Sequence, residues 1–345
     1  MVALRATDRS PSLFGTLALL LALVGVAFVL HLGLGSSSGG LGLRLTPWEV
    51  VSELFRGRAP DTTIGNDIIW LIRLPRALGC LLAGGLLGVV GSAFQSLFRN
   101  PLADPFIVGV SSGSAVGGAL AILLGFAGMA AGLGLLAASF VCGMLSLGLV
   151  FSLATRKGAV DVQTLLLSGV VVGAMLSAVL ALLLMAGGLD ANQVLRWLLG
   201  SATPMYWPKI YAMAVALLVG GALLLLQSKR LNALSLGEHT AQRLGVDTRK
   251  LKPTVLVTGT AMTAVCVGSV GIIGFLGLVA PHIARRVVGV DWRRSLAGSA
   301  LIGMSLLLCA DVVAQWGLPG GEVPVGVVTA LLGAPFLLVL LRRES

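Results

Sequence analysis

Long apolar runs, separated by short segments that carry the charges, extend through almost the whole of this chain of 345 residues. A helix needs about 20 apolar residues to cross the hydrocarbon core of a bilayer. Ten segments are close to this length: 12–34, 68–97, 105–124, 128–154, 162–187, 208–228, 252–272, 274–290, 295–316 and 324–342. Only 11% of the residues are charged, against about a quarter in soluble domains. The sequence therefore predicts an all-α, polytopic membrane protein with about ten transmembrane helices in a single domain, residues 1–345.

The placement of positive charge predicts the orientation of these spans. With the N-terminus in the cytoplasm, 17 of the 24 lysine and arginine residues fall in cytoplasmic segments, which follows the positive-inside rule. An even number of spans returns the C-terminus to the same side. The first apolar run is longer than the roughly 7 to 15 residues of a cleaved signal core, so we expect it to be retained. The basic loops explain the net charge of +10 and contain few aromatic residues, which argues against a nucleic-acid partner.

The second predicted span stops at the sequence RNP, residues 99–101, and a glycine-rich apolar segment follows after Pro105. Proline removes a backbone donor and biases the preceding residue away from helical geometry. Opened backbone at membrane depth is tolerated only inside protein or beside a water-filled cavity, so the break indicates a translocation path. A second short span, 274–290, holds the corresponding place in the second half. This predicts two five-helix halves of opposite orientation, about 12–187 and 208–342.

The sequence contains few residues that could supply energy for transport, either by ATP hydrolysis or by ion coupling. The phosphate-loop pattern GxxxxGK[ST] does not occur in the sequence, so we do not expect the chain to hydrolyse ATP by itself. Ion coupling needs ionisable groups inside the spans, and of the 14 carboxylates only Asp311 lies clearly within one. One acid without a basic or histidine partner makes a poor proton relay. Asp311 is therefore predicted to be a helix-packing residue, with a substrate contact as the alternative. The four cysteines lie singly in apolar runs and indicate small buried residues rather than a metal site.

The loop between the sixth and seventh predicted spans has the pattern of a short helix. Ser235 and Glu238 have the spacing of a capping box, and Gly245 is placed to end the helix. Between them, Ala241 and Leu244 fall on one helical face. We predict an amphipathic helix in the cytoplasm that receives a partner. The pattern alone leaves open an interfacial helix that lies on lipid.

Five blocks of this sequence, in order, resemble the FecCD family of permeases. They are RLPRALGCLLAGGLLGVVGSAFQSLFRNPLADPFIVGVSSGSAVGG (73–118), LNALSLGEHTAQRLGV (231–246), GIIGFLGLVAPHIAR (271–285), CADVVA (309–314) and EVPVGVVTALLGAPF (322–336). The resemblance implies the permease subunit of an ABC importer for ferric siderophores, haem or cobalamin in a bacterial inner membrane. It also implies a homodimer, ATPase subunits on the cytoplasmic side and a periplasmic or lipid-anchored substrate-binding protein. ATP and magnesium would belong to the ATPase, so no cofactor or metal is expected on this chain.

The resemblance also assigns roles to particular residues. Coupling to the ATPase falls within 231–250, on Ser235, Gly237, Glu238, Ala241, Leu244 and Gly245. The gate of the translocation path falls on Asn100, Leu102, Val162 and Gln163. Docking of the binding protein falls on Arg73 and Arg76, which by bare physics could equally be membrane anchors. A third family arginine is replaced by Gln315, so Arg56 and Arg58 are further docking candidates.

Two other classes of function stay open from the sequence. An ion-coupled secondary carrier would run on a proton or sodium gradient without an ATPase. A receptor-like membrane protein would bind its ligand without transporting it. The predicted coupling segment argues against a receptor, and the shortage of ionisable residues within the spans argues against an ion-coupled carrier.

Overall fold

The computed structural model describes residues 13–35, 46–57, 64–156, 159–317 and 321–344, which are almost entirely helical. In chain order the α-helices are α1 (Leu13–Leu34), α2 (Pro47–Arg56), α3 (Ile64–Ile68), α4 (Leu74–Phe98), α5 (Val110–Leu123), α6 (Met129–Ala154), α7 (Val162–Ala186), α8 (Ala191–Leu198), α9 (Trp207–Val215), α10 (Gly221–Leu226), α11 (Ser228–Ser235), α12 (Glu238–Arg243), α13 (Thr248–Val270), α14 (Leu276–Val288), α15 (Trp292–Trp316) and α16 (Val325–Glu344). The docking candidate Arg58 lies outside the described residues.

Shorter elements connect these helices. Two π-helical segments, Ile69–Arg73 and Ala216–Gly220, join α3 to α4 and α9 to α10. The first π segment lies directly before Pro75, whose missing N–H interrupts the α-helical hydrogen bonding. Two 3-10 turns cover Pro105–Val108 and Gly188–Asp190. Strands β1 (Thr155–Arg156) and β2 (Ala159–Val160) pair antiparallel.

The predicted spans coincide with helices of the structure. Within the described residues, seven helical stretches are long and apolar enough to cross a membrane, and α5 and residues 325–340 of α16 are shorter apolar helices. The predicted short third spans are confirmed, because α5 has 14 residues and α14 has 13. At about 1.5 Å per residue, α14 is roughly 20 Å long, less than the roughly 30 Å of a bilayer core. The non-helical residues 271–275 precede it and are buried or half-buried, as expected for opened backbone largely enclosed by protein.

α4 lies at the centre of the helix bundle. In the most apolar part of the stretch Asn66–Phe98, 83% of the residues are buried. A methyl group on Gly84 would overlap the carbonyl of Gly303 in α15, and one on Gly91 would overlap the carbonyl of Gly277 in α14. Small residues allow helix backbones in membranes to touch in this way. We call α4, α14 and α15 the central unit.

The predicted break after the second span is present. α4 ends at Phe98, and Arg99 takes the left-handed conformation with φ 52°. Asp104 begins the following 3-10 turn by accepting a hydrogen bond from the Phe106 N–H at 2.8 Å. Burial raises the pKa of Asp104 to about 6, against the lowering effect of that hydrogen bond.

The two ends of the bundle differ in composition. The basic end carries residues 99–104, the β1–β2 hairpin, α11, α12 and residues 289–291, together with most of the described positive charge. The opposite end carries α2, residues 124–128, residues 187–206 and residues 321–324.

The cysteines are free thiols, but they are not uniformly buried. Cys80 and Cys266 are buried and Cys142 is half-buried, as small core residues should be. Cys309 is exposed, so the prediction of a buried thiol is wrong there. The apolar outer surface of a membrane helix accommodates a neutral thiol as readily as a core does.

Candidate functional site

Asp311 of α15 lies at the centre of a buried polar network near the opposite end. Arg76 donates to it twice, from Nε to Oδ2 at 2.7 Å and from Nη2 to Oδ1 at 3.0 Å. His31 Nε2 lies 2.7 Å from Oδ2, and Gln315 Nε2 donates to the same oxygen at 2.9 Å. The prediction that Asp311 lacks a basic or histidine partner is wrong. Its partners come from α1 and α4, and such distant pairings have no signal in the sequence.

Arg76 joins this network to a second carboxylate. Its Nη1 donates to both oxygens of Glu322, at 3.0 and 2.9 Å. The guanidinium therefore makes four hydrogen bonds to two carboxylates, while only 6% of Arg76 is exposed. A buried charge of this kind is tolerated because it is fully paired.

Arg73 is also enclosed, although it makes different contacts. Only 2% of its surface is exposed, and its Nη1 donates to the carbonyls of Leu32 at 2.8 Å and Gly33 at 3.3 Å. These carbonyls belong to the last turn of α1, where no N–H group of the helix donates to them. A cation is favourable there because it meets the negative end of the helix dipole. The sequence placed Arg73 and Arg76 at an exposed outer surface. That exposure is wrong, and their role in docking stays a prediction.

Three potential metal ligands meet in the same network. The ligand atoms of His31, Cys80 and Asp311 all lie within 4.8 Å of one another. Both oxygens of Asp311 already accept hydrogen bonds from Arg76. The permanent positive charge of that guanidinium opposes a second cation at this place. The arrangement therefore suits an ion pair better than a metal centre.

The predicted coupling segment forms two short helices, α11 and α12, at the basic end. Glu238 forms a salt bridge with Lys252 of α13, with 2.6 Å between Oε1 and Nζ. Asn232 Oδ1 accepts a hydrogen bond from the N–H of Trp292 at 2.9 Å. These contacts attach the segment to α13 and α15, both of which have the length of a membrane span.

The surface of the coupling segment is partly apolar. Ala241 is fully buried against the protein, whereas Leu236 and Leu244 are 67% and 63% exposed. Exposed leucines at this end are suited to contact with another protein or with the lipid surface. Gly245 has a positive φ of 82° immediately after α12, which confirms its predicted place at the helix end.

The predicted capping box of the coupling segment is wrong. Ser235 is the last residue of α11, and its hydroxyl donates to the Asn232 carbonyl at 2.7 Å. Gly237 precedes α12 and gives no side-chain cap. A capping box does occur between Thr46 and Glu49 of α2, where hydrogen bonds from Thr46 lower the pKa of Glu49. Serine–glutamate spacing alone cannot tell the start of one helix from the end of another.

The predicted gate residues lie in two separate elements at the basic end. Asn100 is exposed and its Oδ1 accepts from the Leu102 N–H at 2.9 Å, so it fixes the turn after α4. Val162 and Gln163 occupy the first turn of α7. α7 packs against the 3-10 turn that follows the segment 100–102, where a methyl on Gly169 would lie 2.5 Å from the Ile107 carbonyl oxygen.

Much of α7 lacks packing partners within the chain. Only 11% of its most apolar stretch is buried. Leu167, Val171 and Leu182 are all more than half exposed. An apolar helix at the side of a bundle with so little internal contact must face lipid or another chain. A helical membrane bundle with opened backbone at two places, and with a segment of short helices at its basic end, has the architecture of a transport permease.

Comparison with known proteins agrees with this class. The chain matches the FecCD transport family over residues 20–343. It is 39% identical over 312 residues to the cobalamin import system permease protein BtuC of Halobacterium salinarum, covering 89% of this chain and 81% of that protein. It is 34% identical over 333 residues to the Fe(3+)-citrate import system permease protein YfmE of Bacillus subtilis, covering 95% of each.

A solved structure gives the same result. An inward-facing ABC transporter, described as of the metal-chelate type, matches with a TM-score of 0.81 and 32% identity over 95% of this chain and 98% of that chain. The chain belongs to the FecCD transport family, whose members are the membrane permease subunits of ABC importers.

Proposed function

We propose that this chain is the permease subunit of a binding-protein-dependent ABC importer that moves an iron chelate or cobalamin into the cytoplasm. Two of its relatives are named for cobalamin and for Fe(3+)-citrate import. The observation that carries the proposal is the coupling segment, which exposes two leucines and is joined by Glu238 to α13. The location proposed is a bacterial inner membrane, with both termini in the cytoplasm.

The energy for transport comes from a separate ATPase subunit that binds ATP and magnesium. Leu236 and Leu244 supply apolar contacts to this subunit, and Ala241 holds α12 against the rest of the permease. When α12 moves, the Glu238–Lys252 salt bridge transmits this movement to α13. Lys252 also donates to the Val160 carbonyl at 3.2 Å, so the same lysine reaches the segment in front of α7.

The gate lies at the basic end, between two copies of the permease. Asn100 and Leu102 follow the broken helix α4, and Val162 and Gln163 begin α7. The exposed apolar surface of α7 favours a homodimer with the translocation path at its interface. In this arrangement, movement of the coupling segment changes the separation of the gate residues of the two chains.

Docking of the binding protein requires cations that are accessible at the opposite end. Arg73 and Arg76 are buried, and Gln315 belongs to the network around Asp311. Arg56 of α2 is the better candidate, because its side chain is 75% exposed and its one ion pair among the described residues is with Glu53. Exposed pairs contribute about 0–1 kcal/mol, so an acidic partner can displace this one easily.

The proposal is tested by uptake into vesicles that contain the permease, its ATPase and its binding protein. Ferric citrate and cobalamin are the two cargoes to compare. Leu244→Asp should remove ATP-dependent uptake and ATPase association, while His239→Ala, an exposed change on the same helix, should preserve both. Uptake of either cargo that needs ATP supports the proposal, and normal uptake by Leu244→Asp contradicts the coupling assignment.

The alternative functions give different results in the same vesicles. An ion-coupled carrier would transport without the ATPase and would stop when an ionophore removes the gradient. The His31–Asp311–Arg76 contacts keep this alternative open, since an intramembrane acid with partners now exists. The other described carboxylates lie in loops or near helix ends, so they form no relay across the membrane. A receptor would bind ligand in every condition without uptake.

A further inference from the structure

A polar cavity of about 730 Å³ lies at the opposite end within a single chain. It is enclosed by the segment after α5, by α8, by the segment before α9 and by residues 321–325. Its volume falls in the range of roughly 300–1,000 Å³ found for small-molecule sites. Neither the gate nor the coupling segment uses this cavity.

Lys209 of α9 is the main charged group without an ion-pair partner in this cavity. Only 5% of it is exposed, and its Nζ makes one long hydrogen bond, 3.4 Å, to the Ser269 carbonyl. Within the described residues, no carboxylate lies within salt-bridge distance of this ammonium group, as the ion pairs found there are made by other residues. A buried ammonium group without a counter-ion is costly.

The carboxylates that line the cavity are engaged elsewhere. Asp311 and Glu322 are both held by the guanidinium of Arg76. Arg196 of α8 adds a further, exposed positive charge to the lining. Arg76, Arg196 and Lys209 carry three positive charges against the two negative charges of Asp311 and Glu322, so the charged residues of the lining sum to +1.

Other donors of the lining are unsatisfied as well. The indole N–H of Trp197 and the hydroxyl of Thr203 are enclosed and have no hydrogen-bond partner among the described residues. Both residues line the same cavity as Lys209. The residues of the lining thus include two unsatisfied, enclosed hydrogen-bond donors and a buried ammonium group without a carboxylate partner. This composition suits an anion with several oxygen acceptors.

We propose that this cavity binds a small oxyanion, a carboxylate or a phosphate, with the ammonium group of Lys209 as its counter-ion and Thr203 as a hydrogen-bond donor. Such a site lies inside each protomer and is separate from a path between two protomers. Its ligand neutralises a charge that the fold otherwise leaves buried. The site goes beyond import itself, because it requires neither an ATPase nor a binding protein.

The test is isothermal titration calorimetry on the full-length permease in a non-ionic detergent. Citrate and inorganic phosphate are the probes, and glycerol is the uncharged control. Lys209→Met should weaken binding at least about 25-fold, the lower limit for loss of a buried charge partner. Lys229→Met removes an exposed lysine at the basic end and should leave the affinity unchanged.

Each outcome decides the proposal. Binding of citrate or phosphate by the parent, lost in Lys209→Met and kept in Lys229→Met, supports it, and the stronger probe identifies the acceptor chemistry. No binding of either probe by the parent overturns it, as does equal binding by the parent and Lys209→Met. If Lys209→Met does not fold, Thr203→Val decides, because it keeps the shape and removes the hydroxyl. Weaker binding by that variant supports the site, and unchanged binding overturns it.

Discussion

The network around Asp311 gives the most direct test of what holds the opposite end together. Arg76→Met removes the guanidinium that makes four hydrogen bonds to Asp311 and Glu322. Breaking a buried ion pair from one side costs about 3–5 kcal/mol, because the remaining charge is left uncompensated. Asp311→Asn should cost less, about 1.5–3 kcal/mol for lost charged hydrogen bonds. Its amide keeps the shape of the carboxylate, and Arg76 retains Glu322.

The double variant, Arg76→Met with Asp311→Asn, distinguishes loss of the interaction between these residues from two independent losses of stability. With both groups replaced, Asp311 no longer leaves a buried unpaired charge, and only the partly exposed Glu322 loses its partner. The loss should therefore be smaller than the sum of the single losses by about 0.5–3 kcal/mol. The measurement is the free energy of unfolding in mixed detergent micelles, with gel filtration to verify the folded state. As a control, Lys229→Met combined with Asp311→Asn should be additive within about 0.5 kcal/mol. Full additivity of Arg76→Met and Asp311→Asn would refute the reasoning.

Three further outcomes are expected. Cysteines at Asn100 and Leu102 should crosslink two permease chains on non-reducing gels in at least one nucleotide state and then block uptake; no crosslink in any state would move the gate elsewhere. Burial raises the pKa of Asp104 from 3.8 to about 6, so its neutral form stabilises the fold at low pH, and stability is lost as pH rises through this interval. In Asp104→Asn, the unfolding midpoint should no longer fall between about pH 4 and 6. If the variant keeps the pH dependence of the parent, the role given to Asp104 is contradicted. Gly91→Ala should cost about 1–3 kcal/mol of unfolding free energy by overpacking, while Gly148→Ala, with open space around it, should cost nothing; equal effects would argue against the backbone contact.

The positions of the helices could be predicted from the sequence because they depend on local composition. Run length and proline placement identified the helices, the short third spans and the break at residues 99–101. A run of apolar residues forms a helix in a membrane because the backbone must satisfy its own hydrogen bonds there, and proline ends a helix by its geometry. Both effects depend only on residues that are neighbours in the sequence.

The contacts of the polar groups could not be predicted in the same way. His31 and Asp311 are 280 positions apart, and no local pattern indicates that α1 and α15 bring them together. Arg73 and Arg76 were expected at a surface because charged residues near helix ends usually reach water. The structure instead provides each of them with internal acceptors.

The coupling segment shows the same division between local and tertiary information. A helix near residues 238–245 and its end at Gly245 could be predicted from spacing and glycine. The capping box could not, because Ser235 completes the preceding helix. The anchor that replaces it, the salt bridge from Glu238 to Lys252, depends on the packing of α12 against α13.

The glycine contacts of the central unit have a mechanical consequence. Where backbone meets backbone, as at Gly84 and Gly303, there are no side-chain rotamers that could rearrange to allow one helix to tilt against the other. Packed surfaces of this kind have few alternative arrangements. We expect α4, α14 and α15 to move as one rigid body. The parts of the permease that move are then expected among the peripheral helices. α7 is a candidate because most of its apolar stretch is exposed, with its backbone contact to Ile107 at Gly169 as the fixed point.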